Sequence, residues 1–430
     1  MAPNILSKVL AVGLLAAGAA AKGTPVLEAR ASSTSLTPIT RFTRAVNDST
    51  SAESITSQEL GINTIRVYAV DNSVNHDECM NALAEAGIYL VLDTDNSEYS
   101  LNRNDCFESY NSVFLQSVFA TIDAFANYTN TLAFLSGNEV INNYNNTDCA
   151  PYVKAVVRDM KQYIGSRGYR SIPVGYSAAD VESEQQVLAE YLNCGTNDQR
   201  SDFYAINDYS WCDPSSFTTS GWDTLVANYT GYGIPLFMSE YGCITNNRTF
   251  QEVSALYNTE MTSVFSGGLV YEYSEEGNGY GLVTISPDGT SVTPNDDFTY
   301  LKSAYAAQTN PSGNGGATST SAASTCPTAS SNWNVTNDDL PAIPSQAAEY
   351  MKTGAGKGPG LDGPGSQEAG GKDTESQGTA TPGSGSVTAV ATGASATSTG
   401  KTSGGVMTVT VGGSHFMMEL GAILGIAFLM

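Results

Sequence analysis

Between Gly61 and about Gln308, short apolar runs alternate with amphipathic segments, and this alternation restricts the possible folds more than any other feature. The runs are Asn63–Ala69, Ile88–Asp93, Leu132–Gly137, Ile172–Tyr176, Phe203–Tyr209, Pro235–Ser239 and Gly268–Tyr273. Their Val, Ile, Leu, Phe and Tyr content suits strands buried on both faces. Between them His76–Ala86, Ser109–Tyr128, Ala150–Tyr169 and Thr249–Phe265 carry apolar residues at three- and four-residue spacing, as helices covering a sheet do. Strand then helix, repeated, predicts an α/β fold with a parallel sheet, and at this length a (β/α)8 TIM barrel leads. A doubly wound sheet is the second choice, but no glycine-rich phosphate loop follows a first strand. The runs number seven. An eighth should precede the helix-like Ser51–Leu60, where only Ile39–Val46 is available, and Arg41 and Arg44 make it a poor buried strand. The barrel is therefore expected to lack a normal first strand and to carry an unpaired edge on each side of the gap.

Two strand ends carry acids: Leu135-Ser136-Gly137-Asn138-Glu139 and Met238-Ser239-Glu240-Tyr241-Gly242. In a barrel both lie at the C-terminal face, where active sites sit. An unpaired carboxylate at the end of a buried strand is costly, so two of them point to a working pair. Taken singly, each Glu could equally cap a loop or pair with an arginine. Glycoside chemistry uses such a pair: one acid protonates the leaving oxygen and the other attacks the anomeric carbon, with a retaining pair roughly 5 to 5.5 Å apart. Tyr68, Tyr209, Trp211, Tyr271 and Tyr273 also fall at strand ends, either as a floor for apolar sugar faces or as ordinary rim packing. Asp93 ends a strand too, and would hold a sugar hydroxyl or a neighbouring side chain.

The termini speak to location. Lys8, the apolar run Val9 to Ala21 and the small Ala19-Ala20-Ala21 before Lys22 read as a signal peptide over residues 1–21. Residues 367–405 are mostly Gly, Ser, Thr and Ala, a disordered stalk. Residues 406–430 end in the apolar Gly421–Met430, too short to span a bilayer, and fit a GPI-attachment propeptide with Ser403-Gly404-Gly405 as the attachment region. Between these ends we expect a catalytic domain over 37–308, a linker over 309–325 and an extension over 326–366 packed on the barrel. The predicted localisation is secreted, at the outer face of the plasma membrane.

Charge agrees with that setting. A net charge of −24 excludes a general nucleic-acid binder, which needs a basic face for phosphates. The hydrophobic fraction, 41%, is enough for a sizeable core. The seven cysteines of an exported chain should mostly be paired. No CxxC or Cys/His cluster occurs, and there are only two histidines, so no metal is expected. No cofactor is needed, because an acid and a nucleophile suffice.

Longer text gives a resemblance. Glu59-Leu60-Gly61-Ile62-Asn63-Thr64-Ile65-Arg66-Val67-Tyr68, Ser136–Val140, Val174–Asp180, Asn207–Cys212, Ser239–Cys243, Leu269–Ser274 and Ala355–Gly360 together resemble the fungal GPI-anchored β-1,3-glucanosyltransferases of glycoside hydrolase family 72, the Gas/Gel/Phr type. The likeness runs from about Glu59 to Ser366. It implies that Glu139 is the acid/base and Glu240 the nucleophile. It implies that Asn138 contacts the hydroxyl beside the reacting carbon, and that Tyr68, Asp93, Tyr209 and a tyrosine of the last strand (Tyr271 or Tyr273) line the donor site. It pairs Cys194 with Cys326 and Cys212 with Cys243. Cys106 and Cys149 stand outside the family pattern; each follows a strand ending on the same barrel face, which allows them to bond. Cys79 would then be the odd thiol, since its usual partner position is Thr50.

The implied activity is retaining transglycosylation. A β-1,3-glucan is cut, and the new reducing end is passed to the non-reducing end of another chain, elongating wall glucan. Donor and acceptor glucans and the plasma membrane are the partners. One alternative is a β-1,3-glucanase, in which water accepts the intermediate. The other is a non-catalytic wall protein, supported by the shortened text after Thr37–Thr40, where the resemblance implies a first strand and a glycine-rich turn.

Overall fold

The computed structural model describes residues 59–287, 291–309 and 322–367, with the backbone of 45–47. The signal peptide, most of the linker, the stalk after its first residue, the anchor signal and Thr37–Thr40 lie outside the described residues. In chain order the elements begin with β1 (Ala45–Asn47), β2 (Thr64–Val67), α1 (Asp77–Glu85), β3 (Tyr89–Asp93), α2 (Cys106–Ser109), α3 (Ser112–Phe125) and β4 (Thr131–Asn138). A 3-10 turn (Tyr144–Cys149), α4 (Ala150–Ser166), β5 (Val174–Ala179), α5 (Gln185–Leu192), β6 (Phe203–Asn207) and α6 (Trp222–Tyr229) follow. The series ends with β7 (Leu236–Tyr241), α7 (Glu252–Leu256), α8 (Thr259–Thr262), β8 (Phe265–Val270), the hairpin β9 (Val283–Ile285) and β10 (Val292–Pro294), α9 (Asp296–Ala306) and α10 (Ser345–Thr353).

Strands β1 to β8 pair in sequence order as a closed parallel barrel. The first strand is abnormal in the sense the sequence predicts, with only three residues. The two unpaired edges do not follow, however. Ala45–Asn47 pairs with Thr64–Arg66 of β2 on one side and, through Ala45 and Val46, with Leu269 and Val270 of β8 on the other. Arg41 and Arg44 lie outside the described residues.

Inside the barrel Val91, Ala133, Leu135, Phe203, Ala205, Phe237 and Leu269 form one apolar cluster, and a larger one fills the space between strands and helices. β5 contributes Gly175 to the inner packing. A Cβ there would lie 2.5 Å from the ring of Phe203. Gly175→Ala should therefore destabilise the fold by about 1–3 kcal/mol through overpacking, read by denaturant unfolding.

The predicted helix Ser109–Tyr128 corresponds to α3 and starts too early, because the Asn111 side chain accepts from Val113 N and Phe114 N and begins that helix after α2 has ended at Ser109. The predicted Thr249–Phe265 is two helices, α7 and α8, broken at Asn258, whose side chain accepts from Met261 N. Cys106–Cys149, Cys194–Cys326 and Cys212–Cys243 are bonded. Cys79 is half-buried on α1 against the core.

The segment after Cys326 lies on the barrel's helices. Trp333 is fully buried against Tyr191, ring centres 5.4 Å apart. Arg158 Nη1 donates to the Pro341 carbonyl at 2.9 Å, and Ala355 N donates to the Tyr163 hydroxyl at 2.8 Å. Gly360 N donates to Asn72 Oδ1, and Asn111 Nδ2 to the Ser366 carbonyl, both at 2.9 Å.

Candidate active site

Toward the C-terminal ends of the strands, the inward residues change from apolar to polar one pleat on. Val91 gives way to Asp93, Gly175 to Ser177, Ala205 to Asn207 and Phe237 to Ser239. A period of two keeps each pair on one face.

The two acid-bearing strands break that period. β4 advances three residues, Leu135 to Asn138, while β5 advances two, Gly175 to Ser177. β7 advances from Met238 to Glu240 against the single step Ile206 to Asn207 of β6. It also takes three steps, Met238 to Tyr241, against two in β8. An inserted residue re-aims the side chains beyond it. Glu240 thus comes into register with Asn207, beside an already inward Ser239. At the end of β4, Glu139 takes φ 50°, a left-handed conformation rare and costly for a side-chain-bearing residue. Its N–H still holds β5, donating to the Ser177 carbonyl at 2.9 Å.

One network joins the two acids. Arg66, fully buried, grips Asp93 with Nε at 2.8 Å and Nη2 at 2.9 Å. Its Nη1 reaches Glu240 Oε1 at 3.3 Å and its Nη2 reaches Asn138 Oδ1 at 3.0 Å. Asn138 Oδ1 also accepts from Asn207 Nδ2 at 3.1 Å, and the same amide donates to Glu139 Oε1 at 2.8 Å. Asn207 is oriented from behind, its Oδ1 accepting from Ser177 Oγ at 3.0 Å and Ser239 Oγ at 2.7 Å.

The carboxylates sit in unlike surroundings. Glu240 is buried and takes a proton donor on each oxygen besides Arg66: the Tyr68 hydroxyl on Oε1 at 2.9 Å and the Tyr209 hydroxyl on Oε2 at 2.6 Å. Glu139 is half-buried. Burial pushes Glu240 up to about 7; Arg66 opposes this, Glu139 adds repulsion, and the Tyr209 and Tyr68 hydroxyls favour the charged form. Burial works against the Arg66 charge, but Asp93, Tyr68 and Glu240 outweigh it and hold that guanidinium above its ordinary value. Asp95, just past β3, is pushed up to about 7 by burial and by Asp93.

Of the residues singled out in the sequence, Tyr68, Asn138, Glu139, Tyr209 and Glu240 meet in this network, and Tyr271 stands edge-on to Tyr68 and Tyr209 at 6.1 and 6.3 Å. Asp93 turns both oxygens to Arg66 and is buried, so it braces the site from beneath. Tyr273 is fully buried in the larger core and offers no face to a ligand. The predicted run Gly268–Tyr273 overshoots β8, which ends at Val270, so Tyr273 does not stand at a strand end. Trp211 packs on Trp222 at 4.9 Å and donates from Nε1 to Asp213 Oδ1. Sequence reading assigned no role to Arg66, Ser177, Asn207, Ser239 or Tyr280. A buried arginine on an apolar strand was the available signal for the first. Tyr280, from the loop before β9, lies 5.6 Å from Tyr209 and 5.2 Å from Tyr271 and widens the aromatic wall.

Comparison with known proteins places this geometry. A family model described as Glucanosyltransferase, glycoside hydrolase family 72, matches residues 32–309. The 1,3-beta-glucanosyltransferase gel1 of Aspergillus fumigatus is 64% identical over 307 residues, covering 71% of this chain and 68% of the relative. The 1,3-beta-glucanosyltransferase GAS5 of Saccharomyces cerevisiae is 53% identical over 302 residues, 70% of this chain and 62% of that protein's length. A solved structure of Saccharomyces cerevisiae Gas2p in complex with laminaritriose and laminaritetraose superposes with a TM-score of 0.65 at 37% identity, covering 70% of this chain and 72% of that one. With a match across well over half its length and a barrel of the same kind, this chain belongs to the glucanosyltransferases of glycoside hydrolase family 72.

Proposed function

We propose that this chain is a retaining β-1,3-glucan transglycosylase, with Glu240 as nucleophile and Glu139 as acid/base. The observation that carries this reading is the asymmetry of the two acids. Glu240 is clasped by Arg66, Tyr68 and Tyr209, which favour its charged form and offset part of the burial that raises it, while Glu139 holds a single amide donor at Oε1. A nucleophile needs a fixed carboxylate, and an acid needs to keep a proton until the bond breaks. Glu139 would protonate the glycosidic oxygen as Glu240 attacks the anomeric carbon, releasing the reducing-end fragment. Glu139, now a carboxylate, would take the proton from a hydroxyl at the non-reducing end of an acceptor glucan. That oxygen displaces Glu240 and restores the β bond.

Asn138 keeps its Oδ1 turned to Arg66 and Asn207, which leaves its NH2 to meet the hydroxyl beside the reacting carbon. Tyr68, Tyr209, Tyr271 and Tyr280 would form the wall on which a sugar face rests. The terminal segments support export and GPI attachment at the plasma membrane and wall.

The direct test incubates the purified protein with reduced β-1,3-gluco-oligosaccharides and reads product sizes by mass spectrometry, beside Glu139→Gln. Products longer than the substrate, lost in the variant, support transfer. Only shorter products would make it a β-1,3-glucanase, and no product from a folded protein would leave the non-catalytic reading.

The pH dependence gives a second test. Glu240 must be ionised to attack, so kcat/KM should rise with pH as it deprotonates. Tyr209→Phe removes a hydrogen bond that favours the carboxylate, raises the Glu240 pKa and should move this ascending limb to higher pH. An unmoved limb would take Glu240 out of that role.

A further inference from the structure

Outside the network of the two acids, a cavity of 470 Å³ lies between the loops that follow β3 and β4. Arg103 and Phe107 wall it on one side, Asn142, Asn143 and Asn145 on the other, and Tyr152 of α4 completes it. Both loops leave C-terminal strand ends, so the cavity shares the face that carries Glu139, three residues before Asn142. The Cys106–Cys149 disulfide ties the two walls together. The second wall is also pre-set from within. Buried Asn146 donates to the Val140 carbonyl at 2.9 Å, and its Oδ1 accepts from the backbone of Asn142 and Asn143, each at 3.2 Å.

The chemistry of this wall is specific. Side-chain amides both donate and accept, which suits hydroxyl groups. The lining holds one cation, Arg103, and two carboxylates, Asp105 and Asp148, a net charge of −1 that gives no pull toward an anion and leaves a neutral ligand acceptable. Phe107 is 37% exposed, and Tyr144, between the lining Asn143 and Asn145, is 54% exposed. Apolar rings left open beside clustered amides match a sugar's apolar face and polar edge.

We propose that this cavity is an accessory carbohydrate site that holds further glucosyl units of the β-1,3-glucan chain engaged at Glu139 and Glu240. The inference rests on the proposed function and adds a determinant of chain length to it. Pocket and acids on one face let a long chain touch both, whereas a short one reaches only the acids.

Asn145 begins the Asn145–Thr147 sequon, so the test uses Asn145→Gln as parent, which keeps an amide and carries no glycan. Short and long reduced β-1,3-gluco-oligosaccharides are titrated by calorimetry against this parent, against the added pair Phe107→Ala and Tyr144→Ala, and against Phe107→Trp. Affinity for long chains should fall about three- to tenfold in the alanine pair. Short-chain affinity and transfer should hold, and Phe107→Trp should keep the long-chain affinity. Equal affinity of parent and alanine pair for long chains would overturn the proposal, as would a parent that binds long and short chains equally. A parent that binds and transfers no β-1,3-glucan overturns the proposed function itself, a result distinct from transfer that ignores the pocket changes.

Discussion

Glu240→Gln should abolish glucan transfer, by about 10⁴-fold or more, while making the protein more stable at neutral pH. The loss follows from removing the attacking oxygen. The gain follows from linkage. In the folded protein Glu240 is raised from 4.5 to about 7, so between these values the native state holds a proton that the unfolded chain has released. Stability therefore falls as pH rises across that window and stays lower above it. Glutamine carries no such proton. Unfolding curves of parent and variant should coincide near pH 4 and separate, in the variant's favour, by pH 8. Curves that stay parallel across that range would mean that Glu240 is not strained by its burial. The combination of dead enzyme and firmer fold separates a residue kept for chemistry from one kept for structure.

The second large effect concerns Arg66. Arg66→Leu should destabilise the fold by about 3–5 kcal/mol, because it leaves a buried Asp93 without its countercharge. Adding Asp93→Asn should recover part of that loss, since the orphaned charge goes with it. The double variant should nevertheless remain poor at transfer, because Glu240 has lost the cation that favours its ionised form. A double-mutant cycle on unfolding free energy measures the coupling. If Asp93→Asn worsens rather than relieves the single Arg66 variant, the ion pair is not what holds this end of the barrel.

The barrel was legible because its strands are buried on both faces, which writes them as continuous apolar runs. Asn63–Ala69 and Ile88–Asp93 bracket β2 and β3 closely for that reason. The acids were legible too, since Glu139 and Glu240 interrupt such runs at their ends. What joins them was not. The bulges in β4 and β7 change which residues face inward, and a bulge is a relation between two strands that neither strand's own text records. Asn207 became central only because Glu240 was moved into register with it. Tyr273 is misplaced for a simpler reason: the apolar run Gly268–Tyr273 continues past Val270, where β8 ends. Helices α2, α5, α6, α9 and α10 are not among the predicted ones. α5 and α6 have only eight residues each, too few turns for a periodic pattern to stand out.

The segment after Cys326 also bears on how this chain comes to be folded as it is made. The Tyr163 hydroxyl, Asn72, Asn111 and Arg158 belong to the first part of the barrel, yet each finds a partner among residues 341–366. Those contacts join residues between 183 and 288 positions apart. A ribosome delivers the partners last, after all eight strands have emerged. Until then these groups hold only their partners inside the barrel, such as Asp123 for Tyr163 and Asp159 for Arg158, and the surface that the segment covers stays open. Native packing around α3 and α4 must wait for the final segment, and a chain cut short before Pro341 would keep a complete set of strands around an unfinished interior.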